Sequence, residues 1–185
     1  MRTYEQNIIN PVALWELLDN NPYDLSSVVI HLAWREGLFR KEIHELRWEQ
    51  VDFEAECLRL PDRTIPLEDK TAVQLKVWRN ALEPRQKCKY VVSSLRSGNQ
   101  VAEQSLSRLA RVALNRIGMQ DVRLVDLRHD FVRRMMEEYD YLYALQITGE
   151  SLTTYHIKYM GMRNHQLPTM VLCQDLAQNK MRKDF

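Results

Sequence analysis

The sequence predicts a mainly α-helical domain carrying one small antiparallel β-sheet, an α+β arrangement. Two observations lead there. Apolar residues recur at helical spacing through most of the chain, as in Leu106, Leu109, Ala110, Ala113, Leu114 and Ile117. Early in the chain that period gives way to two short runs, Cys57 to Leu60 and Arg63 to Leu67, joined by Pro61-Asp62, which read as a hairpin. With only 5 Gly and 6 Pro among 185 residues there is little room for long linkers. A single domain over 1–185 is therefore expected, with 161–185 as a C-terminal tail helix.

In chain order, Pro11 to Leu18 reads as a helix with Leu14, Leu17 and Leu18 on one side. Ser26 and Ser27 can cap a second helix that carries Val29, Ile30, Ala33 and Trp34 and stops at Gly37. Ser accepts from free N–H groups, and Gly takes the left-handed turn that ends a helix. A third helix places Ile43 and Leu46 on one side. After it comes the hairpin, with Pro66 marking an edge position because it cannot donate to a neighbouring strand. Tyr90 to Ser93 is expected as the third strand. Between them, Lys70 to Leu82 is helical, with Leu75, Trp78 and Leu82 on one face. Helices over Gln104 to Ile117, Leu127 to Tyr139, Tyr141 to Thr148, Thr153 to Met160 and Leu167 to Met181 complete the chain.

Composition narrows the function. Hydrophobic residues make up 45%, which suits a globular chain rather than a disordered one. No stretch approaches the roughly 20 apolar residues of a membrane span, and the N-terminus lacks the layout of a signal peptide. Cys57, Cys88 and Cys173 are odd in number and form no CxxC pair, so neither a metal site nor a disulfide framework is expected. The expectation is a soluble, cytoplasmic protein with no membrane partner. The net charge is only +1, yet the segment from Arg85 to Arg134 holds eleven basic and four acidic residues. Such asymmetry is the footprint of a localised polyanion site. Solvated helix faces are the alternative.

Specific motifs sharpen this. Gly37-Leu38-Phe39-Arg40-Lys41-Glu42 runs on to Leu46, Trp48, Val51 and Asp52. Arg63-Thr64-Ile65-Pro66-Leu67 follows, then Leu127-Arg128-His129-Asp130-Phe131, then Gly149-Glu150-Ser151 and Tyr159. In this order and spacing, over about Asn10 to Met160, the series resembles the catalytic domain of the tyrosine recombinases, the phage-integrase family. The resemblance implies a tyrosine that attacks a DNA phosphodiester, leaving a 3′-phosphotyrosine and a free 5′-hydroxyl, with no metal or nucleotide cofactor. In the family two arginines hold the non-bridging oxygens, a task their planar forks suit. A hairpin lysine protonates the leaving oxygen, and two further positions move protons or orient the phosphate.

Carried over residue by residue, the site is incomplete. Arg128 matches the second arginine and Tyr159 the nucleophile. Phe39 falls on the first arginine position and cannot donate. Arg40, beside it, is a substitute only if the turn after Gly37 is re-spaced, since one helical residue is about 100° of rotation. The hairpin lysine has no counterpart. Val125 stands where the family has His or Lys, and Glu150 replaces the His of its G-H-S. His129 matches a position that mainly supports structure. A carboxylate at Glu150 would repel a phosphate where a donor is needed.

The leading expectation is a catalytically impaired, DNA-binding integrase-like domain. Its phosphate contacts would come from Arg108, Arg111, Arg116, Arg123 and Arg133. The alternatives are a working recombinase built on Tyr159, Arg128 and Arg40, and a helical interaction protein that keeps only the fold. Expected partners are double-stranded DNA and a second copy or a recombinase partner. The helical core-binding domain that precedes the catalytic domain in most of the family is not expected here, since the resemblance starts at about Asn10, and weak DNA binding by a monomer is the expected consequence. The apolar tail, Leu167 to Met181, is expected to dock on a neighbouring molecule or fold back on its own.

Overall fold

The computed structural model describes residues 9–84 and 89–154. Among them are helices α1 (Pro11–Asn20), α2 (Leu25–Trp34) and α3 (Arg40–Glu45), then strands β1 (Val51–Asp52), β2 (Cys57–Arg59) and β3 (Thr64–Pro66). Helices α4 (Asp69–Leu82), α5 (Glu103–Arg116), α6 (Leu124–Glu138) and α7 (Tyr141–Thr148) follow. The protein divides into two compact units, Met1–Gly149 and Glu150–Phe185. All ten elements lie in the first. In the second, Glu150 is buried and the Ser151 hydroxyl accepts the Thr154 N–H at 3.1 Å, capping a short helical turn. Among the described residues no helix is long and apolar enough to cross a membrane.

Helix α2 is the axis of the first unit. Every residue from Ser26 to Trp34 is buried, because α1, α3, α4, α5 and α6 all pack on it. A helix apolar on all sides belongs at the centre of a core. Its cap is Asp24, whose carboxylate accepts the Ser26 N–H at 3.0 Å. The serines expected to cap it instead lie inside its first turn, since a carboxylate two residues earlier meets the free N–H first. Helices α4 and α5 bury the faces their periodicity foretold: Leu75, Trp78 and Leu82 from one, Leu106, Ala110, Ala113 and Leu114 from the other.

The sheet has the order β1-β2-β3, antiparallel throughout. Val51 pairs with Leu58 and Leu58 with Ile65, which puts all three buried side chains on one face. Pro66 sits on the edge strand, as its missing N–H requires. The third strand is β1, not the expected Tyr90 to Ser93. That segment makes only isolated bridges, Arg47 to Tyr90 and Ser93 to Gln100. Its hydrogen bonds go to the chain just before a 3-10 turn at Trp48–Gln50, where Val91 N–H reaches Leu46 O at 2.9 Å and the ladder cannot continue. Val91 and Val92 are still buried, and the Trp78 indole N–H donates to Val91 O at 2.9 Å.

Candidate functional site

The turn after α2 is set by a close approach. Gly37 has φ +63°, and a Cβ there would lie 2.1 Å from Phe131 Cδ1 of α6. Only glycine allows both the left-handed backbone and that contact. Leu38 then turns inward and Phe39 precedes α3, its N–H donated to Glu42 Oε2 at 2.7 Å.

Helix α6 begins at Leu124, three residues earlier than its apolar pattern suggests, because the Asp126 carboxylate accepts the Arg123 N–H at 2.8 Å. One turn further in, Arg128 is 3% exposed. Its Nη1 donates to the Gly37 carbonyl and its Nη2 to Thr148 O at 2.8 Å. The guanidinium carbon lies 3.4 Å from the centroid of the Phe39 ring, a stacked cation–π contact. Phe39 thus covers the arginine from the outside.

A second arginine ties the same elements together. The side chain of Arg63, at the start of the hairpin's second run, is 5% exposed. Its two Nη atoms grip Glu42 at 2.7 and 3.0 Å, and Nε donates to Ile147 O at 3.1 Å. Gly149, with φ +66°, passes so close that a Cβ would meet Arg63 Cζ at 2.8 Å. The turn after α2, the hairpin, the start of α6 and the end of α7 are therefore knotted by two buried arginines. The first three are segments singled out as motifs, and Gly149 of a fourth follows α7 directly.

In front of Phe39 lies a cleft of about 830 Å³. Arg40, Lys41, Arg108, Arg111 and Arg123 line it together with Phe39, Val125 and Arg128, against two acids, Glu42 and Glu103. Arg40 is half-exposed and its Nε pairs with Glu103 Oε1 at 2.9 Å. Arg108 and Arg111, one turn apart on α5, are exposed and make no ion pair among the described residues. Arg123 pairs with Asp126 at 3.3 Å. Val125, 45% exposed, offers only methyl groups.

The remaining sequence-nominated residues lie elsewhere. Arg116 lines a second cleft of about 630 Å³, shared with Arg96 and Arg108. Arg133 pairs with Asp130 at 2.7 Å and Glu137 at 3.7 Å, and is not among the residues lining either cleft. Burial works against the Asp130 charge, but hydrogen bonds from Arg133, the Trp34 indole and Arg134 outweigh it and hold the carboxyl below its ordinary range. His129 is half-buried. Glu150 belongs to the second unit. Tyr159, Cys88, Cys173 and the tail helix lie outside the described residues. Sequence reasoning gave no site role to Lys41, Glu103, Glu42 and Arg63, although three of them stand in the quoted motifs. The last two carried a signal: Glu42 stands three residues after the capping position, and Arg63 leads the R-x-I-P-L run.

The fold defines a class, the tyrosine-recombinase catalytic-domain fold. Residues 12–148 match the phage integrase family, and the chain belongs to it. No curated protein matches the sequence at a significant level. Among solved structures the chain is similar to the XerA recombinase, with a TM-score of 0.71 and 18% identity, over 92% of this chain and 64% of that one. It is also similar to the Tn1549 transposon integrase in complex with circular intermediate DNA, with TM-score 0.66 and 14% identity, over 96% and 65% of the two chains. For the lambda integrase catalytic core the values are 0.52 and 12%, over 76% and 90%. At these identities the likeness is one of fold. The chain spans 64% and 65% of the length of the first two.

Proposed function

We propose that this chain binds duplex DNA as a member of the integrase family in which strand cleavage is impaired. The observation that carries the reading is the burial of Arg128 beneath Phe39, with two of its nitrogens given to backbone carbonyls. A phosphate-gripping arginine must present its fork to the substrate. Here the neighbouring position supplies a ring instead of a second fork. Val125 adds no proton donor, Glu150 replaces a histidine, and the hairpin holds no lysine. Loss of one such donor typically lowers a rate by about 10²–10³. Tyr159 remains at the nucleophile spacing, but a phenol with pKa near 10 is a poor nucleophile without help.

The cations around the cleft support retained DNA binding. Surface ion pairs such as Arg40–Glu103 contribute about 0–1 kcal/mol, so a DNA phosphate can compete for Arg40. Partners on this reading are duplex DNA and a second copy or an active recombinase. The test incubates the protein with nicked duplexes, including DNA from its own genomic neighbourhood. Anisotropy reads binding and a denaturing gel reads covalent adducts. Binding at low salt without an adduct is expected. A phosphotyrosyl adduct that disappears in Tyr159→Phe would overturn the impaired reading. It would select the rearranged-site recombinase, with Arg40 as the substitute arginine.

A further inference from the structure

The substitution that removes a phosphate ligand also builds something. One face of the Phe39 ring is taken by Arg128, while 39% of the residue remains exposed where it lines the cleft. The ring is held from behind by the guanidinium, and the backbone beneath it is held by Glu42. Such a platform loses little freedom when something stacks on it. Leu38, Leu124 and Val125 are the apolar residues beside it, and Arg108 and Arg111 stand exposed among the lining. At about 830 Å³ the cleft falls in the size range that encloses a small planar ligand.

An aromatic platform beside exposed cations is the pattern that binds unpaired nucleotides. The base stacks while the phosphate finds the arginines. A base within a duplex has both faces occupied by its neighbours and cannot stack on Phe39. We infer that the cleft seats one unpaired nucleotide of a DNA strand, its base on Phe39 and its phosphate on Arg108 and Arg111. The inference rests on the DNA-binding reading above and narrows it to tailed, nicked or branched DNA over intact duplex.

The experiment compares a blunt duplex with the same duplex carrying a short single-stranded tail that contains 2-aminopurine. Anisotropy gives affinity and 2-aminopurine fluorescence gives stacking. The tail should tighten binding roughly tenfold or more and its fluorescence should be quenched. An abasic tail on the unaltered protein should lose the gain. In Phe39→Leu the ratio of tailed to blunt affinity should fall to about one. Equal affinity for blunt and tailed DNA, or an abasic tail that binds as tightly as an intact one, overturns the inference and leaves the DNA-binding reading standing. Failure to bind either DNA at low salt defeats that reading itself. Equal quenching of free 2-aminopurine deoxynucleoside monophosphate at comparable concentration would assign the site to a free nucleotide and overturn the strand assignment.

Discussion

Around Arg128 the decisive residues are small or misplaced in charge terms, and each makes a measurable demand. Gly37 has no room for a Cβ against Phe131 and a backbone that L side chains rarely adopt. Gly37→Ala should therefore cost about 2–4 kcal/mol, combining left-handed strain with overpacking, as read by urea denaturation. A loss below about 1 kcal/mol would mean that the turn and α6 can separate freely. Glu36 makes a demand of another kind. It is buried, accepts the Glu68 N–H at 3.3 Å, and sits beside the Arg35–Glu68 pair. Burial, with a smaller push from Glu68, raises its carboxyl to about 8. The native state thus holds a proton that the unfolded chain releases near 4.5, so this stabilisation is full below 4.5 and lost as pH rises through 8. His31 runs the other way. Burial, then Arg35 and Lys70, lower it to about 4, so its contribution is full above 6.5 and lost as pH falls toward 4. The two slopes oppose each other between 4.5 and 6.5, leaving Glu36 alone above that. Stability should fall by about 2 kcal/mol between pH 6.5 and 8. Glu36→Gln, which keeps the acceptor and removes the titration, should abolish the decline. Thermal melts across that window would check it, and an identical decline in both proteins would place the titration elsewhere.

Among the elements, the hairpin and the Arg63 clamp join what the chain keeps far apart. Arg63→Met would leave Glu42 in the same place without its two bonds. Removing one partner of a buried pair is strongly destabilising. Glu42 keeps 19% exposure, so a loss of about 2–4 kcal/mol is expected, below the figure for full burial. Adding Glu42→Gln to Arg63→Met should recover a substantial part of it. A double-mutant cycle by chemical denaturation measures the coupling, and additive losses would show that the two side chains act independently. The periodicity of α4, α5 and α7 was legible because each buries one regular face. The hairpin was legible because its alternation is bracketed by Pro61-Asp62. The start of α6 and the cap of α2 were not, since both depend on which carboxylate folds back onto an N–H. Nor was β1, because two residues carry no period. The role of Phe39 was half legible. Its spacing from Gly37 marked a lost donor, but only the folded chain brings its ring 3.4 Å from the Arg128 guanidinium, 89 positions along the sequence. Likewise, no pattern separated Arg108 and Arg111, which line the cleft, from Arg133, which is neutralised by Asp130 and Glu137.

At the scale of the whole molecule, a net charge of +1 conceals a segment with eleven basic and four acidic residues. Part of that excess faces one cleft. Arg40, Lys41, Arg108, Arg111 and Arg123 line it, of which Arg40, Lys41 and Arg123 are held in displaceable surface ion pairs with Glu103, Glu45 and Asp126, whereas Arg128 is buried. If four cations each meet a phosphate, counterion release gives a slope of about −3.6 in log affinity against log salt. Affinity for a blunt duplex should then fall on the order of 10² between 50 and 200 mM salt. Replacing Arg108 and Arg111 together by glutamine should flatten the slope by about two units. Arg133→Gln, outside the cleft and paired on α6, should leave the slope as it was. Arg116→Gln is the sharper control, because Arg116 is exposed on the same helix as Arg108 but lines the other cleft. A fluorescence anisotropy series over at least four salt concentrations separates the cases. Equal flattening by Arg116→Gln would extend the DNA footprint across α5 into the second cleft. A flat response in the unaltered protein would remove the phosphate-binding role from this face altogether and leave the third expectation, an interaction domain that keeps only the fold.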